Sequence, residues 1–202
     1  MFQNTIENIL FAVTPLLIIV SVAVISIRIA YIIKFHNKIV IYKEIYNYLF
    51  VLYILVLFNA VSFQDKSLIG TSNFIPFREI FRYDIFNDLF FKNVIGNVIL
   101  MVPYTVYISL FLKPKNILLS LFMVLILSCS IELTQLYISG RVFDLDDIIL
   151  NCIGGIIGYY VYHLIVILRN KFPKISNNDL FLNIVSIIFL IGTILYIVNF
   201  WR

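Results

Sequence analysis

The sequence predicts an all-α membrane protein, a polytopic helical bundle of about six transmembrane helices with one external amphipathic surface helix. Of the 202 residues, 62% are hydrophobic and only 13% are charged, and the mean hydropathy is +1.01. A soluble domain of this length does not bury so much apolar side chain. Apolar stretches of about 20 residues, the length that crosses the hydrocarbon core, recur along the chain. We therefore expect a single membrane domain over residues 1–202.

Six stretches have the length and composition of spanning helices. The first, residues 9–33, is too long for the apolar region of a cleaved signal peptide and lacks a basic flank. The second, residues 46–63, is short, and the aromatic residues at its ends are typical of interfacial anchors. The other four cover residues 93–112, 117–138, 148–168 and 180–200. In the fifth stretch, Gly154 and Gly158 predict the close approach of a neighbouring helix.

Residues 64–92 are too polar to span a membrane and too aromatic for a plain linker. Apolar residues recur there at spacings of three to four positions: Phe77, Ile80, Phe81, Ile85 and Leu89. This spacing predicts an amphipathic helix that lies in the membrane surface. A short helix that caps the bundle explains the same pattern, and the sequence leaves both alternatives open.

Basic residues are unevenly distributed between the connections. Eight Lys and Arg residues lie in loops 34–45, 113–116 and 169–179. Apart from the long 64–92 connection, the opposite side has two, Arg141 and Arg202. Because basic loops stay in the cytoplasm, this ratio predicts a multi-pass protein of the cell (plasma) membrane with both termini extracytoplasmic. The net charge of +4 then reflects cytoplasmic loops, and no basic stripe with interleaved aromatic residues predicts nucleic-acid binding.

Polar side chains of the third, fourth and fifth helices gather at the predicted outer end. An ionisable side chain at membrane depth costs about 2.5–3.5 kcal/mol on insertion scales, so it persists where it is paired, hydrated or functional. Glu132 and Gln135 are three positions apart and share a helix face. If the fifth helix begins near the loop, Asp144, Asp147 and Asn151 share another face. The candidate ligand-binding residues are Asn97, Glu132, Gln135, Arg141, Asp144, Asp147 and Asn151.

Structural roles explain some of the same residues. Asp144 or Asp146 is suited to cap the fifth helix, because an Asp side chain accepts hydrogen bonds from the first free amides. The spacing of Asp146 departs from the shared face, which favours a structural role for it. For Glu132, an ion pair with Arg141 that locks the hairpin is as good an explanation as ligand binding.

Four blocks of residues, in this order and at this spacing, resemble the VanZ-like family of membrane proteins over about residues 73–160. The blocks are Asn73 to Phe77, Asn93 to Asn97 with Pro103, Glu132 with Gln135, and Arg141 to Asp144 continuing through Asp147 and Asn151. Within or beside them, Asn93, Asn73, Pro76 and Arg78 are secondary site candidates. The resemblance implies a protein that lowers teicoplanin binding at the cell surface of Gram-positive bacteria.

The polar cluster favours binding over catalysis. We expect contact with membrane lipids and with an amphiphile, either a lipoglycopeptide antibiotic or a cell-wall lipid precursor. The alternatives are a membrane enzyme that uses carboxylate acid and base chemistry on a lipid headgroup and, third, a lipid transporter or flippase. No Ser or Cys has a His at a recognisable spacing, which disfavours the enzyme. Arg141 among the acids argues against a metal site, and we expect no cofactor.

Overall fold

The protein is a set of long apolar helices, as the composition predicts. The computed structural model describes residues 2–35, 39–62, 72–78, 80–83, 87–139 and 142–200. The six long helices are α1 (Phe2–Phe35), α2 (Ile41–Ser62), α3 (Gly96–Leu112), α4 (Ile117–Thr134), α5 (Leu145–Lys171) and α6 (Asp179–Phe200). Within these ranges the one β feature is an isolated bridge between Asn73 and Asp144. The all-α prediction is confirmed.

Five of the described helices, α1 to α5, are long and apolar enough to cross a membrane. The described apolar part of α6, Asp179–Gly192, is shorter. The chain is therefore a multi-pass membrane protein, while the sixth spanning helix stays a prediction. The expected single domain over residues 1–202 also stays a prediction.

The helices of the polar region begin and end in irregular turns. A helical turn, Asp88–Phe90, and a π-helical turn, Phe91–Ile95, precede α3. A second π-helical turn, Gln135–Ser139, extends α4. At the opposite end of α3, Lys113 adopts a left-handed conformation with φ of 48° and its amide donates to the Ser109 carbonyl at 2.8 Å. Pro114 follows and stops the helix, because proline offers no amide and its ring clashes with the preceding turn.

The amphipathic helix predicted from Phe77 onward is not a continuous helix in the described residues. The structure has a turn at residues 76–78, a 3₁₀ turn at Ile80–Arg82 and a new helix that begins only at Asp88. Phe77 has a φ of 65°, which is outside the helical region. Its amide donates to the Asp146 side chain rather than to a helical carbonyl. The prediction of one helix was wrong because a tertiary hydrogen bond overrides the apolar periodicity. Position 85 lies outside the described residues.

Helices α3, α4 and α5 belong to a compact unit formed mainly by Ala60–Ile167, called the site unit below. A Cβ atom at Gly154 would collide with the carbonyl oxygen of Val98, and one at Gly155 would lie 2.9 Å from a methyl group of Val124. Gly158 likewise abuts α3. The close approach predicted for Gly154 and Gly158 is confirmed, and Gly155 adds the contact with α4. Small residues at such positions let helix backbones pack closely in a membrane.

The second unit consists of Gln3–Asn59 and Leu168–Arg202. In it, the Arg28 guanidinium donates to both carboxylate oxygens of Glu44, at 2.6 and 2.7 Å. The Tyr48 hydroxyl donates to Ser21 at 2.6 Å. We predicted a spanning stretch at residues 46–63, and the helix that contains most of it begins earlier, at Ile41. Its one acid, Glu44, is paired with Arg28.

Candidate functional site

One end of the site unit, called the junction below, joins four elements: the loop at residues 72–78, the start of α3, the end of α4 and the start of α5. Both π-helical turns of the described chain lie at this end. Single π-helical turns occur frequently at functional sites, because they displace side chains from regular helical positions. Most of the residues predicted for the site meet here, as the following contacts show.

Asp144 is the residue around which the elements join. It precedes the first residue of α5, and its Oδ1 accepts a hydrogen bond from the amide of Asp146 at 2.9 Å. This geometry confirms the predicted helix cap. The same oxygen accepts a hydrogen bond from the Asn73 side chain at 2.9 Å. The backbone of Asn73 completes a parallel bridge, with hydrogen bonds to Phe143 and Leu145 of 2.8 and 3.0 Å.

Glu132 connects α4 to this junction. Its side chain is buried, with 2% of the residue exposed. Its Oε2 accepts a hydrogen bond from the backbone amide of Asp144 at 3.2 Å. A carboxylate near the C-terminal end of a helix is disfavoured by the helix dipole, so it needs donors from elsewhere. The alternative ion pair with Arg141 involves a residue that lies outside the described ones.

Asp146 has a larger role than the sequence indicated. It is 1% exposed, and its two carboxylate oxygens accept hydrogen bonds from the amides of Phe77 at 2.6 Å and Ile80 at 3.2 Å. We had favoured a first-turn structural acid and left it out of the site. The sequence did indicate a further role, because Asp144, Asp146 and Asp147 are three acids within four positions at a helix start, which is more than one helix cap requires. The loop that uses Asp146 is distant in sequence and has no periodicity to reveal it.

The remaining polar residues of α5 reach both neighbouring helices. Asp147 accepts a hydrogen bond from the Asn97 side chain at 2.7 Å, which joins α5 to α3. Asn151 donates to the Ser128 hydroxyl at 2.8 Å, which joins α5 to α4 within the buried core. Sequence reasoning missed Ser128, because a serine in an apolar helix carries no pattern of its own. Gln135 is also buried, at 6% exposure.

The secondary candidates divide between this junction and its surroundings. Asn73 belongs to the junction. Asn93 donates to the hydroxyl of Tyr83 at 3.0 Å instead of joining the acids. Pro76 and Arg78 lie in the exposed turn of the loop. Arg141 and the residue before it lie outside the described residues.

Four carboxylates thus lie in one small region: Glu132, Asp144, Asp146 and Asp147. Backbone amides and side-chain amides donate to them, which fixes their positions. Acids gathered in this way are suited to a cationic or zwitterionic group. Among the residues that the structure describes, no three His, Cys, Asp or Glu side chains are grouped to hold a metal ion.

Comparison with known proteins agrees with the residue pattern. A family model described as VanZ/LLP1 matches residues 45–168. "Protein VanZ" of Enterococcus faecium is 28% identical over 106 residues, which cover 52% of this chain and 63% of that relative's length. No solved structure matches. The family match spans more than half of the chain and includes α3, α4, all but the last turn of α5 and every described contact among their polar residues; the chain belongs to the VanZ/LLP1 family.

Proposed function

We propose that the junction binds the charged headgroup of an amphiphile at the outer face of the plasma membrane, and that the chain thereby lowers susceptibility to teicoplanin. The ligand is a lipoglycopeptide antibiotic or a cell-envelope lipid. Both termini and the junction lie outside the cell in this proposal. The excess of basic residues in loops 34–45, 113–116 and 169–179 supports that orientation.

The observation that carries the proposal is the convergence of buried acids and amides from three apolar helices. Glu132 and Asp146 are almost fully buried. Burial of ionisable groups in a membrane protein is costly and marks functional sites by default. Helices α3 and α4 also carry buried hydroxyls elsewhere along their length, but their carboxylates and carboxamides are confined to this end. That distribution favours a binding site at one membrane face over a pathway through the membrane.

The geometry supports binding of a positively charged group. Amide donors hold the carboxylates in fixed positions, so a ligand would not have to order them, and a preorganised site binds more tightly than a mobile one. An amphiphile with an amine on its headgroup matches both the acidic junction and the bilayer beside it. Teicoplanin has this chemistry, with an acyl chain suited to the outer leaflet.

The test is susceptibility to teicoplanin in a Gram-positive host that expresses the chain or its variants. Glu132→Gln and Asp144→Asn remove charge but keep an oxygen that accepts the amide hydrogen bonds. A hydrogen bond between the cationic group of the ligand and a charged carboxylate contributes about 1.5–3 kcal/mol. Each variant is therefore expected to weaken binding of the ligand roughly tenfold or more. Both variants should lose most of the protection that the unaltered chain gives.

Asp179→Asn is the matched control, because Asp179 is an exposed acid at the start of α6. It should protect as well as the unaltered chain. Membrane levels of every variant are measured by immunoblot of a tagged chain. Teicoplanin from which the acyl chain has been removed should show a smaller effect than intact teicoplanin. Normal protection by Glu132→Gln and Asp144→Asn at normal protein levels would contradict the proposal.

A further inference from the structure

The loop beside the junction presents an unusual surface. Residues 72–78 and 80–83, called the aromatic loop here, expose Phe74 by 68%, Ile75 by 58%, Phe77 by 48% and Phe81 by 82%. Arg78, in the same turn, is exposed as well. In water, four large apolar side chains on one short loop would be unfavourable, and such clusters mark contacts with a partner or a membrane.

The position of the aromatic loop identifies the partner. Its bridge to Phe143 and Leu145 fixes it at the first residue of α5. The candidate spanning helix α5 also begins at Leu145, and its first turn carries Asp146 and Asp147. In a bilayer, a turn with two acids at the end of a spanning helix would lie where the hydrocarbon core meets the headgroup layer, and the loop beside it would lie at the same depth. Aromatic side chains are enriched at that depth in membrane proteins.

The loop is also held in a defined shape. The amides of Phe77 and Ile80 donate to Asp146, and the Phe74 ring stacks on Phe143 with centroids 5.3 Å apart. The left-handed turn at Phe77, with φ of 65°, is maintained by the first of these hydrogen bonds. A loop fixed in this way presents its side chains without a further cost of ordering.

We infer that the aromatic loop is an interfacial anchor, which inserts its exposed apolar side chains into the bilayer surface and binds the phosphate of an anionic phospholipid through Arg78. Apolar side chains next to a basic one match the apolar and anionic layers of such a surface. A planar guanidinium also forms bidentate hydrogen bonds with a phosphate. This inference concerns a surface beside the junction and holds whether or not the junction binds an amphiphile.

The experiment uses the full chain with its single tryptophan, Trp201, changed to Phe, and a new tryptophan introduced as Phe81→Trp. The protein is reconstituted in vesicles of phosphatidylcholine alone or of an equal mixture with phosphatidylglycerol. Two further chains carry Phe122→Trp, on an exposed part of α4, or Lys115→Trp, in the turn at the opposite end of α3. They serve as the lipid-exposed and water-exposed references.

We expect lipids brominated near the headgroup to quench the tryptophan at position 81 about as strongly as the one at position 122. Acrylamide in the water should quench it several-fold less than the one at position 115. Phosphatidylglycerol should increase the lipid quenching, and Arg78→Gln should abolish that increase while leaving quenching in phosphatidylcholine unchanged. Ile75→Trp repeats the measurement if the first variant does not fold.

Four results would contradict the inference. Strong quenching by acrylamide would place the loop in water. Protection from both quenchers would indicate a protein partner instead of lipid. Lipid quenching that does not respond to phosphatidylglycerol, or a response that survives Arg78→Gln, would remove the assigned role of the arginine.

Discussion

The two compact units use their apolar helices in different ways. In the site unit, α5 packs its glycines against neighbouring backbones, and 33% of its apolar stretch is buried within the protein. In the second unit, none of the described apolar stretch of α1 is buried, although the helix is more apolar. A helix that faces lipid has to be apolar, whereas one inside a packed site has to fit particular neighbours. Substitutions in the two units should therefore differ in effect even where their chemistry is the same.

The largest difference is expected for a methyl group added to a glycine. Gly154→Ala places a Cβ against the Val98 carbonyl and 2.9 Å from the Met101 Cβ. Overpacking of this kind costs about 1–3 kcal/mol, and more where backbone has to move. Gly192→Ala meets nothing within 4 Å and should gain up to about 1 kcal/mol in helix propensity. Thermal unfolding of the purified protein in detergent compares the two, and equal melting temperatures would refute the contrast.

A change of intermediate size is expected for Asp146→Asn. The carboxylate now accepts hydrogen bonds from two backbone N–H groups, one on each oxygen. In the variant, the side-chain NH₂ group would face one of these N–H groups, so one charge-assisted hydrogen bond is lost and replaced by repulsion between two donors. Hydrogen bonds to charged groups contribute about 1.5–3 kcal/mol. Hydrogen exchange should accelerate at the amides of Phe77 and Ile80. Asp179→Asn in the second unit is the control and should leave hydrogen exchange at those amides unchanged. If exchange is also unchanged in Asp146→Asn, the side chain of Asp146 does not hold the loop in place.

The smallest effect is expected for a neutral pair inside the site unit. The hydroxyls of Ser109 and Ser120 are hydrogen-bonded at 3.1 Å between α3 and α4, and both residues are fully buried. Interhelical hydrogen bonds of this kind contribute about 0.6 kcal/mol on average in membrane proteins. A double-mutant cycle with Ser109→Ala and Ser120→Ala should give a coupling energy of that size. A value near 3 kcal/mol would show that polar contacts, more than glycine packing, hold the helices together.

Hydropathy and residue spacing were sufficient to predict the spanning helices, because few other backbone structures can cross a bilayer. Spanning segments need about 20 apolar residues whatever they pack against, so the bounds of α3 to α5 lie close to prediction. Helix α2 begins five residues before the predicted spanning stretch and includes Glu44, whose partner Arg28 lies on another helix, and no local pattern encodes such a contact. The surface helix failed for the same reason, since the Phe77 amide bonds to a carboxylate 69 positions away.

For the site too, the sequence identified some of the residues but not the contacts between them. Glu132, Asp144 and Asp147 stood out because charge is rare in an apolar helix, and their elements do meet. Their partners could not be derived, because each hydrogen bond joins residues that only the assembled fold brings together. Asp146 shows the limit most clearly. Helical spacing places Asp146 on a different face of α5 from Asp144 and Asp147. That face contacts the loop that contains Phe77 and Ile80, so Asp146 still belongs to the site.

The bridge between Asn73 and Asp144 also has a consequence for biosynthesis. The two residues are 71 positions apart, so at roughly 5–20 residues per second the ribosome needs several seconds to deliver the second after the first. During that interval α3 and α4 are synthesised while residues 72–78 still lack the strand pairing that later holds them. The segment before α3 can therefore reach its final hydrogen bonds only after the ribosome has delivered the start of α5.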